Sequence, residues 1–353
     1  MTKKVLMKGN EAIAEAAIQA GCRGFFGYPI TPQTEIPAYM AKRMPQVGGI
    51  FVQAESEIAA VNMVYGAAST GARVMTSSSS PGISLKTEGI SYLAGADLPA
   101  LIVNVQRGGP GLGSILPAQS DYWQATRAPG HGDFHILVFA PASVQEMIEL
   151  VEKAYLLAEK YRMPAMLLID GILGQMMEPA FLPQSKATDV SAKAWAATGH
   201  GFARKHTIVN SGYLLPQHME QAVRKRFDRY RAIESNEPLY EEYLTDDAEM
   251  IVVAYGATAR ISKAAVDLAR KKGIQAGLIR PVTLWPFPTE RLAIAAAKVR
   301  SFLVVEMSMG QMIDDIRLAV GSDCFVRFLG RTGGVVPTRD EILEEIIKNA
   351  GGI

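Results

Sequence analysis

Three loops hold the side chains with the most chemical potential. The first, Gly27-Tyr28-Pro29-Ile30-Thr31-Pro32-Gln33, closes a short apolar run. Its two prolines fix φ and remove two backbone donors, so the Thr31 hydroxyl is offered from a stiff loop. Such a loop positions a ligand at the carboxyl end of a strand. It also reads as a plain strand-to-helix turn with Thr31 as N-cap and Pro32 at the first helical position. The second, Gln53-Ala54-Glu55-Ser56-Glu57-Ile58-Ala59-Ala60, opens a helix whose Gly66, Ala67, Ala68 and Gly71 call for close packing against a neighbour. Its carboxylates either serve the helix macrodipole or, for Glu57, accept a hydrogen bond from a ligand nitrogen. The third, Asn104-Val105-Gln106-Arg107-Gly108-Gly109-Pro110-Gly111-Leu112-Gly113, follows a buried strand. Its glycines miss the G-x-G-x-x-G spacing of a dinucleotide fingerprint. What remains is a planar guanidinium, Arg107, suited to a small carboxylate or to a local ion pair.

Two other constellations carry less. His131 and His135 are four apart around Asp133, but Gly130 and Gly132 argue against a helix that would align the rings, and no further metal ligand is near. Ser77 to Ser80 and Ser84 line a hydroxyl-rich loop. Gly82-Ile83-Ser84-Leu85-Lys86 lacks the second glycine of a G-x-S-x-G nucleophile elbow.

The elements that must position these residues alternate between helix and strand. A first helix is expected from an N-cap at Asn10 to a stop at Gly21, and the lysines before it, Lys3, Lys4 and Lys8, read as part of an amphipathic helix. RGFFGYP, IFVQA, RVMTSSS, ALIVNVQ, HILVFA and AMLLID follow as strands. Ser56 to Thr70, Gly82 to Ala96 and Ser143 to Tyr161 are long enough for crossover helices, so an α/β fold with a doubly wound parallel sheet is predicted for residues 1–183. Residues 184–247 read as a connecting arm with one helix, carrying the basic run Arg224 to Arg231, either a solvated face or a docking surface for an acidic partner. A smaller α/β unit over 248–353 takes EMIVVAY, IQAGLIR, SFLVVEM and CFVRFLG as strands, with helices at Thr258–Gly273, Thr289–Val299, Gln311–Val320 and Arg339–Asn349.

Composition narrows the function classes. At roughly 150 residues per domain, 353 residues make about two domains, each able to bury its own core. Lys plus Arg number 36 against 35 Asp plus Glu, a net charge of +1 that gives no general attraction to nucleic acid or anionic membranes. No run of about eighteen apolar residues appears, so no membrane span is expected. Two cysteines, Cys22 and Cys324, are too few for a four-cysteine iron–sulfur cluster, and a reducing cytoplasm is the natural setting.

GYPITP, QAESEIAAVNMVYGAASTG, TSSSSPGISL and NVQRGGPGLG, in this order, resemble the alpha subunit of the 2-oxoacid:ferredoxin oxidoreductases, above all the 2-oxoisovalerate (branched-chain) type. RPVTLWPFP and VVEMSMGQM are similar to that family's transketolase C-terminal-like domain. The resemblance implies a pyrimidine-type thiamin-diphosphate-binding domain, thiamin diphosphate as cofactor, CoA, and electron transfer to ferredoxin. It implies that Thr31 and Arg107 contact the substrate carboxylate. It implies that Tyr28, Pro29, Ile30 and Glu57 contact the cofactor, with Glu57 hydrogen-bonding N1′ of the aminopyrimidine.

The family holds the diphosphate through Mg²⁺ on a domain marked by G-D-G and a downstream Asn. Here Asp170-Gly171 follows Ile169, and no Asn lies between Gly171 and Asn210. The resemblance therefore implies a thiamin-diphosphate-binding beta subunit carrying the Mg²⁺, iron–sulfur clusters on partner chains, a hetero-oligomer in which this chain also meets its own copy, and no activity alone. The apolar face around Gly66 to Gly71 is the expected interface. Relatives acting on 2-oxoglutarate read R-G-G-P-S-T-G-L-P-T where this chain has Ile115 and Leu116, which favours an aliphatic tail. A 2-oxoglutarate or pyruvate specificity, a cluster-free thiamin enzyme, and a non-catalytic carboxylate-binding subunit stand as alternatives.

Overall fold

The computed structural model describes residues 4–127, 129–182, 193–201 and 203–350. Lys3 and the first residues of the expected connecting arm fall outside the described residues. In chain order the first half comprises β1 (Lys4–Lys8), α1 (Gly9–Gln19), β2 (Gly24–Gly27), α2 (Glu35–Arg43), β3 (Ile50–Gln53), α3 (Glu57–Ser69), β4 (Val74–Ser78) and α4 (Ser80–Gly95). It continues with β5 (Leu101–Gln106), α5 (Tyr122–Thr126), β6 (Leu137–Phe139), α6 (Val144–Tyr161), β7 (Ala165–Asp170), α7 (Gly171–Gln175) and β8 (Met177–Phe181). Then come α8 (Pro216–Asn236), β9 (Tyr240–Tyr243), β10 (Met250–Val253), α9 (Gly256–Lys271), β11 (Ala276–Pro281) and β12 (Thr283–Trp285). The chain closes with α10 (Thr289–Ala296), β13 (Ser301–Glu306), α11 (Met312–Val320), β14 (Phe325–Gly330) and α12 (Arg339–Ala350).

Seven strands form the larger sheet in the order β12-β6-β7-β5-β4-β2-β3. All its pairs are parallel except β12 with β6. Strands β4, β5 and β7 are buried along their whole length, because helices cover both faces of a parallel sheet. From β2 the chain moves outward to β3, and from β4 it moves the opposite way to β5. The crevice at the carboxyl ends of β2 and β4 is therefore the topological switch point, where open sheets of this kind bind ligands.

The second sheet has five strands, β14-β13-β10-β11-β9. The four expected strands are joined by antiparallel β9 from the segment read as an arm. β12, from within residues 248–353, adds instead to the edge of the larger sheet. The two sheets are bound to one another by Gln119, which donates to the Tyr255 carbonyl (2.8 Å) and accepts from Met307 N (3.0 Å) and Thr258 Oγ1 (3.2 Å). Asp170 caps α7 through Ile172 N and Leu173 N and also accepts from Ala257 N, so its carboxylate is engaged by backbone donors on both sides of the junction.

Several sequence expectations need correction. Lys4 and Lys8 sit on a strand, β1, which pairs antiparallel with β8. Asn10 lies inside the first turn of α1 and is buried, its Nδ2 donating to the Pro32 carbonyl (2.9 Å) and Glu35 (2.8 Å); Lys8 occupies the N-cap. The basic run on α8 is neither a plain solvated face nor a free patch. Arg226 is buried and, with Arg229, pairs with Asp97 at 3.1 and 2.6 Å, which clamps α8 to the end of α4. His131 is exposed in a loop, while the His135 ring stacks on Trp285 at 4.8 Å beside Tyr230. Among the described residues no group of three His, Cys, Asp or Glu side chains is placed to hold a metal, and no helix is long and apolar enough to cross a membrane.

Candidate active site

Two of the loops singled out by their chemistry, the first and the third, meet beside the serine run at the switch point. Tyr28 to Pro32 leave β2, Ser79 and Ser80 leave β4, and Arg107 leaves β5. The meeting of the first and third is direct: one Arg107 terminal nitrogen donates to the Thr31 carbonyl at 2.9 Å and the other to the Leu112 carbonyl at 3.2 Å. The guanidinium is buried, and its Nε has no protein partner. Thr31 is exposed, while its carbonyl, held by Arg107, ties the loop down. Tyr28 and Pro29 are exposed and Ile30 half-buried along the same rim.

The Arg107 backbone is fixed as firmly as its side chain. Its N–H donates to Ser80 Oγ (3.0 Å), and Ser80 Oγ donates to Asp121 Oδ2 (2.6 Å), which also accepts from Asn104 Nδ2 (2.8 Å). Burial pushes the Asp121 carboxyl up from its ordinary range, against the two hydrogen bonds that pull it down. After Arg107 the chain turns back sharply at Gly113, whose φ is +59° and where a Cβ would fall 1.8 Å from the Gly108 carbonyl oxygen. That turn leaves Leu112, Ile115 and Leu116 exposed on the loop that follows Arg107.

Glu57 enters from the other side as the first residue of α3. Ser56 is the N-cap, its Oγ accepting from Ala59 N at 3.2 Å, so the helix start is capped without Glu57. Glu57 is buried, yet no protein hydrogen bond reaches its carboxylate among the described residues. It lies against Gly82 in the first turn of α4, where a Cβ would come within 2.6 Å of Glu57 Oε1 and 2.0 Å of Ser78 Oγ. Ser78 Oγ and Ser79 Oγ are themselves buried without partners. A buried acceptor, two free hydroxyls and a backbone bared by glycine fit the aminopyrimidine end of thiamin diphosphate, a flat ring with both donors and acceptors.

The tightness at Gly82 makes a test. Gly82→Ala is expected to cost about 1–3 kcal/mol of stability, since neither β4 nor α3 has room to recede. Urea unfolding measures it; a variant as stable as wild type would mean that Ser78 and Glu57 swing aside freely.

The sequence singled out Glu57, Thr31, Arg107 and the serine run, but not the hydrogen-bond partners that join these residues to the rest of the fold. Ser80, Asn104 and Asp121 form a buried cluster behind Arg107, and Gln33 accepts from Ser77 Oγ (2.5 Å) and donates to the Tyr28 carbonyl (3.3 Å). The signal available was polar residues inside apolar strands, Asn104 and Gln106 on β5. The apolar face expected at Gly66 to Gly71 is also displaced: residues 193–196 cover Gly71, whereas Ile58, Met63, Leu85 and Tyr92 form the exposed apolar side of α3 and α4.

Comparison with known proteins accords with this geometry. Residues 15–242 match the family described as "Pyruvate flavodoxin/ferredoxin oxidoreductase, thiamine diP-bdg", and residues 248–342 match "Pyruvate:ferredoxin oxidoreductase core domain II". The chain is 49% identical to the ketoisovalerate oxidoreductase subunit VorB of Methanothermobacter thermautotrophicus, over 98% of each chain. It is 38% identical to the 2-oxoglutarate synthase subunit KorA of the same organism, over 99% of each. Among solved structures, the 2-oxoglutarate:ferredoxin oxidoreductase from Magnetococcus marinus superposes with a TM-score of 0.87 at 27% identity, covering 98% of this chain. This chain spans 65% of the length of that one.

Proposed function

Because the chain belongs to the pyruvate flavodoxin/ferredoxin oxidoreductase family with its thiamin-diphosphate-binding domain, we propose that it is the alpha subunit of a CoA-acylating 2-oxoacid:ferredoxin oxidoreductase acting on 2-oxoisovalerate. The products are isobutyryl-CoA, CO2 and reduced ferredoxin. The observation that supports the substrate choice is the loop after Arg107, which follows a buried guanidinium with the exposed aliphatic side chains of Leu112, Ile115 and Leu116. A carboxylate and a branched apolar tail are what such a pair recognises.

Thiamin diphosphate, when bound, supplies the electron sink for loss of CO2. The protein side of the reaction divides among few residues. Arg107 binds and orients the substrate carboxylate through Nε, which no protein acceptor claims. The Thr31 hydroxyl hydrogen-bonds the same group from the facing loop. Glu57 would hold N1′ of the aminopyrimidine by a hydrogen bond and exchange a proton there, and Tyr28, Pro29 and Ile30 would line the cofactor. The pyrimidine-type domain over 1–183, the arm over 184–247 and the transketolase C-terminal-like domain over 248–353 divide the chain. The diphosphate and its Mg²⁺ belong to a beta subunit and the iron–sulfur clusters to a ferredoxin-like subunit, in a cytoplasmic assembly that pairs two copies of this chain.

Anaerobic dye reduction by the complex co-purified on a tagged copy of this chain, with CoA and a panel of 2-oxoacids, tests the reading. The highest kcat/KM is expected for 2-oxoisovalerate, with neighbouring aliphatic acids within about 10- to 200-fold, since a methylene contributes only about 1–3 kcal/mol. A higher kcat/KM for 2-oxoglutarate would reverse the assignment.

A further inference from the structure

Lys86 takes no part in the chemistry assigned above, yet it is fully buried on α4. It stands one turn beyond Gly82 on the same helix face. That face presses on α3 so closely that a Cβ at Gly82 would overlap Glu57 and one at Gly89 would fall 2.4 Å from Val61. Lys86 is held in the seam between these two contacts. Its Nζ donates to Thr76 Oγ1 at 2.5 Å and to the Ser77 carbonyl at 3.1 Å, at the end of β4. From Ser77 the hydrogen bonds run on through Gln33 to the Tyr28 carbonyl, so the lysine is tied to the loop that carries Thr31 as well as to the helix that carries Glu57.

We propose that Lys86 is a positioning residue for Glu57: its side-chain nitrogen, anchored to β4, sets the charge balance of the buried carboxyl, and its proton acts as a switch on the site. This rests on the assignment of Glu57 above only for the effect on turnover; the coupling belongs to the two side chains themselves. Two acceptors satisfy a neutral amine, whereas an ammonium brings a third proton and a full charge. Burial pushes the Lys86 ammonium down to about 7, against the pull of Glu57, which favours the charged form. The groups facing it are Glu57 from α3 and, from β4, the Thr76 hydroxyl and Ser77 carbonyl, so Glu57 is its one charged neighbour among the described residues.

The sign follows from electrostatics. Below about pH 7 the ammonium attracts the Glu57 carboxylate through space, with no ion pair between the two among the described residues, and competes with a ligand nitrogen for it. Above that pH the neutral amine releases it. In the assembled enzyme kcat/KM is therefore expected to rise through about pH 7 with a one-proton slope. Lys86→Met removes the limb and keeps the upper plateau into more acidic solution. Lys86→Arg, always charged, holds the enzyme at the lower level. Removing one partner of a buried pair costs stability and strips Thr76 Oγ1 and the Ser77 carbonyl of their donor, so a urea unfolding midpoint is measured beside the activity of the methionine variant.

A second readout needs no cofactor. In the full chain labelled with ¹³C at lysine Cε, the Lys86 resonance is the one that Lys86→Met deletes. Its midpoint is expected near 7 and is expected to fall by about one unit, tenfold in proton affinity, in Glu57→Gln. A midpoint in the ordinary lysine range, indifference to Glu57→Gln, or a limb that persists in Lys86→Met would each overturn the proposal. If the resonance responds but Glu57→Gln leaves the complex fully active, the coupling stands and the thiamin assignment of Glu57 falls.

Discussion

In the assembled enzyme, Glu57→Gln is expected to lower kcat by about a hundredfold or more, the scale of losing a general acid–base group, with little change in folding stability. The substitution keeps the length and shape of a side chain packed against Gly82. What it removes is the charge and the ability to pass a proton. Stability changes little because Ser56, not Glu57, caps α3. Loss of a favourable charge at a helix N-terminus costs only about 0.3–1 kcal/mol. The capping explanation predicts the opposite pattern: a measurable loss of stability and normal turnover. Saturating kcat under anaerobic conditions, set beside a urea unfolding midpoint, separates the two. An activity loss smaller than about fivefold would remove Glu57 from the chemistry.

The central strands of the larger sheet were legible in sequence because a parallel sheet needs continuous apolar runs, and Leu101–Gln106 and Ala165–Asp170 are such runs, whereas Glu57 follows the edge strand Ile50–Gln53. The meeting of Thr31 and Arg107 was expected only through the family resemblance; each was read as following a strand, but the strand order that brings the two loops together is not written in either run. What escaped depends on partners distant in sequence. β1 reads as a charged helix start until β8 is brought beside it, and β12 is three residues long and pairs across to β6. Arg226 reads as a surface arginine until Asp97, 129 residues earlier, is found against it. Lys86 is the sharpest case. A lysine in a helix normally extends to water. Only the glycines at 82 and 89, which let α3 close over α4, turn this one inward.

Arg107→Lys is expected to lower kcat/KM for the 2-oxoacid by about 30-fold to a few thousandfold, the range of about 2–5 kcal/mol for truncating one partner of a buried hydrogen-bonded charge pair. The reason is geometric as much as electrostatic. The guanidinium already donates to the carbonyls of Thr31 and Leu112, holding two loops in register, and still has Nε for a carboxylate. An ammonium is a point charge on a flexible stem and cannot hold both carbonyls and a substrate in one plane. The loss should fall mainly on KM, because carboxylate binding persists from ground state to transition state. Thr31→Val separates loop from hydroxyl: the Thr31 carbonyl that Arg107 grips is untouched, and only a side-chain contact is lost. If both residues hold the same carboxylate, the double variant loses less than the sum of the singles, because the second hydrogen bond has little left to orient. Strict additivity, or an Arg107→Lys effect within threefold, would mean that Arg107 braces the loops and that the substrate carboxylate is bound elsewhere.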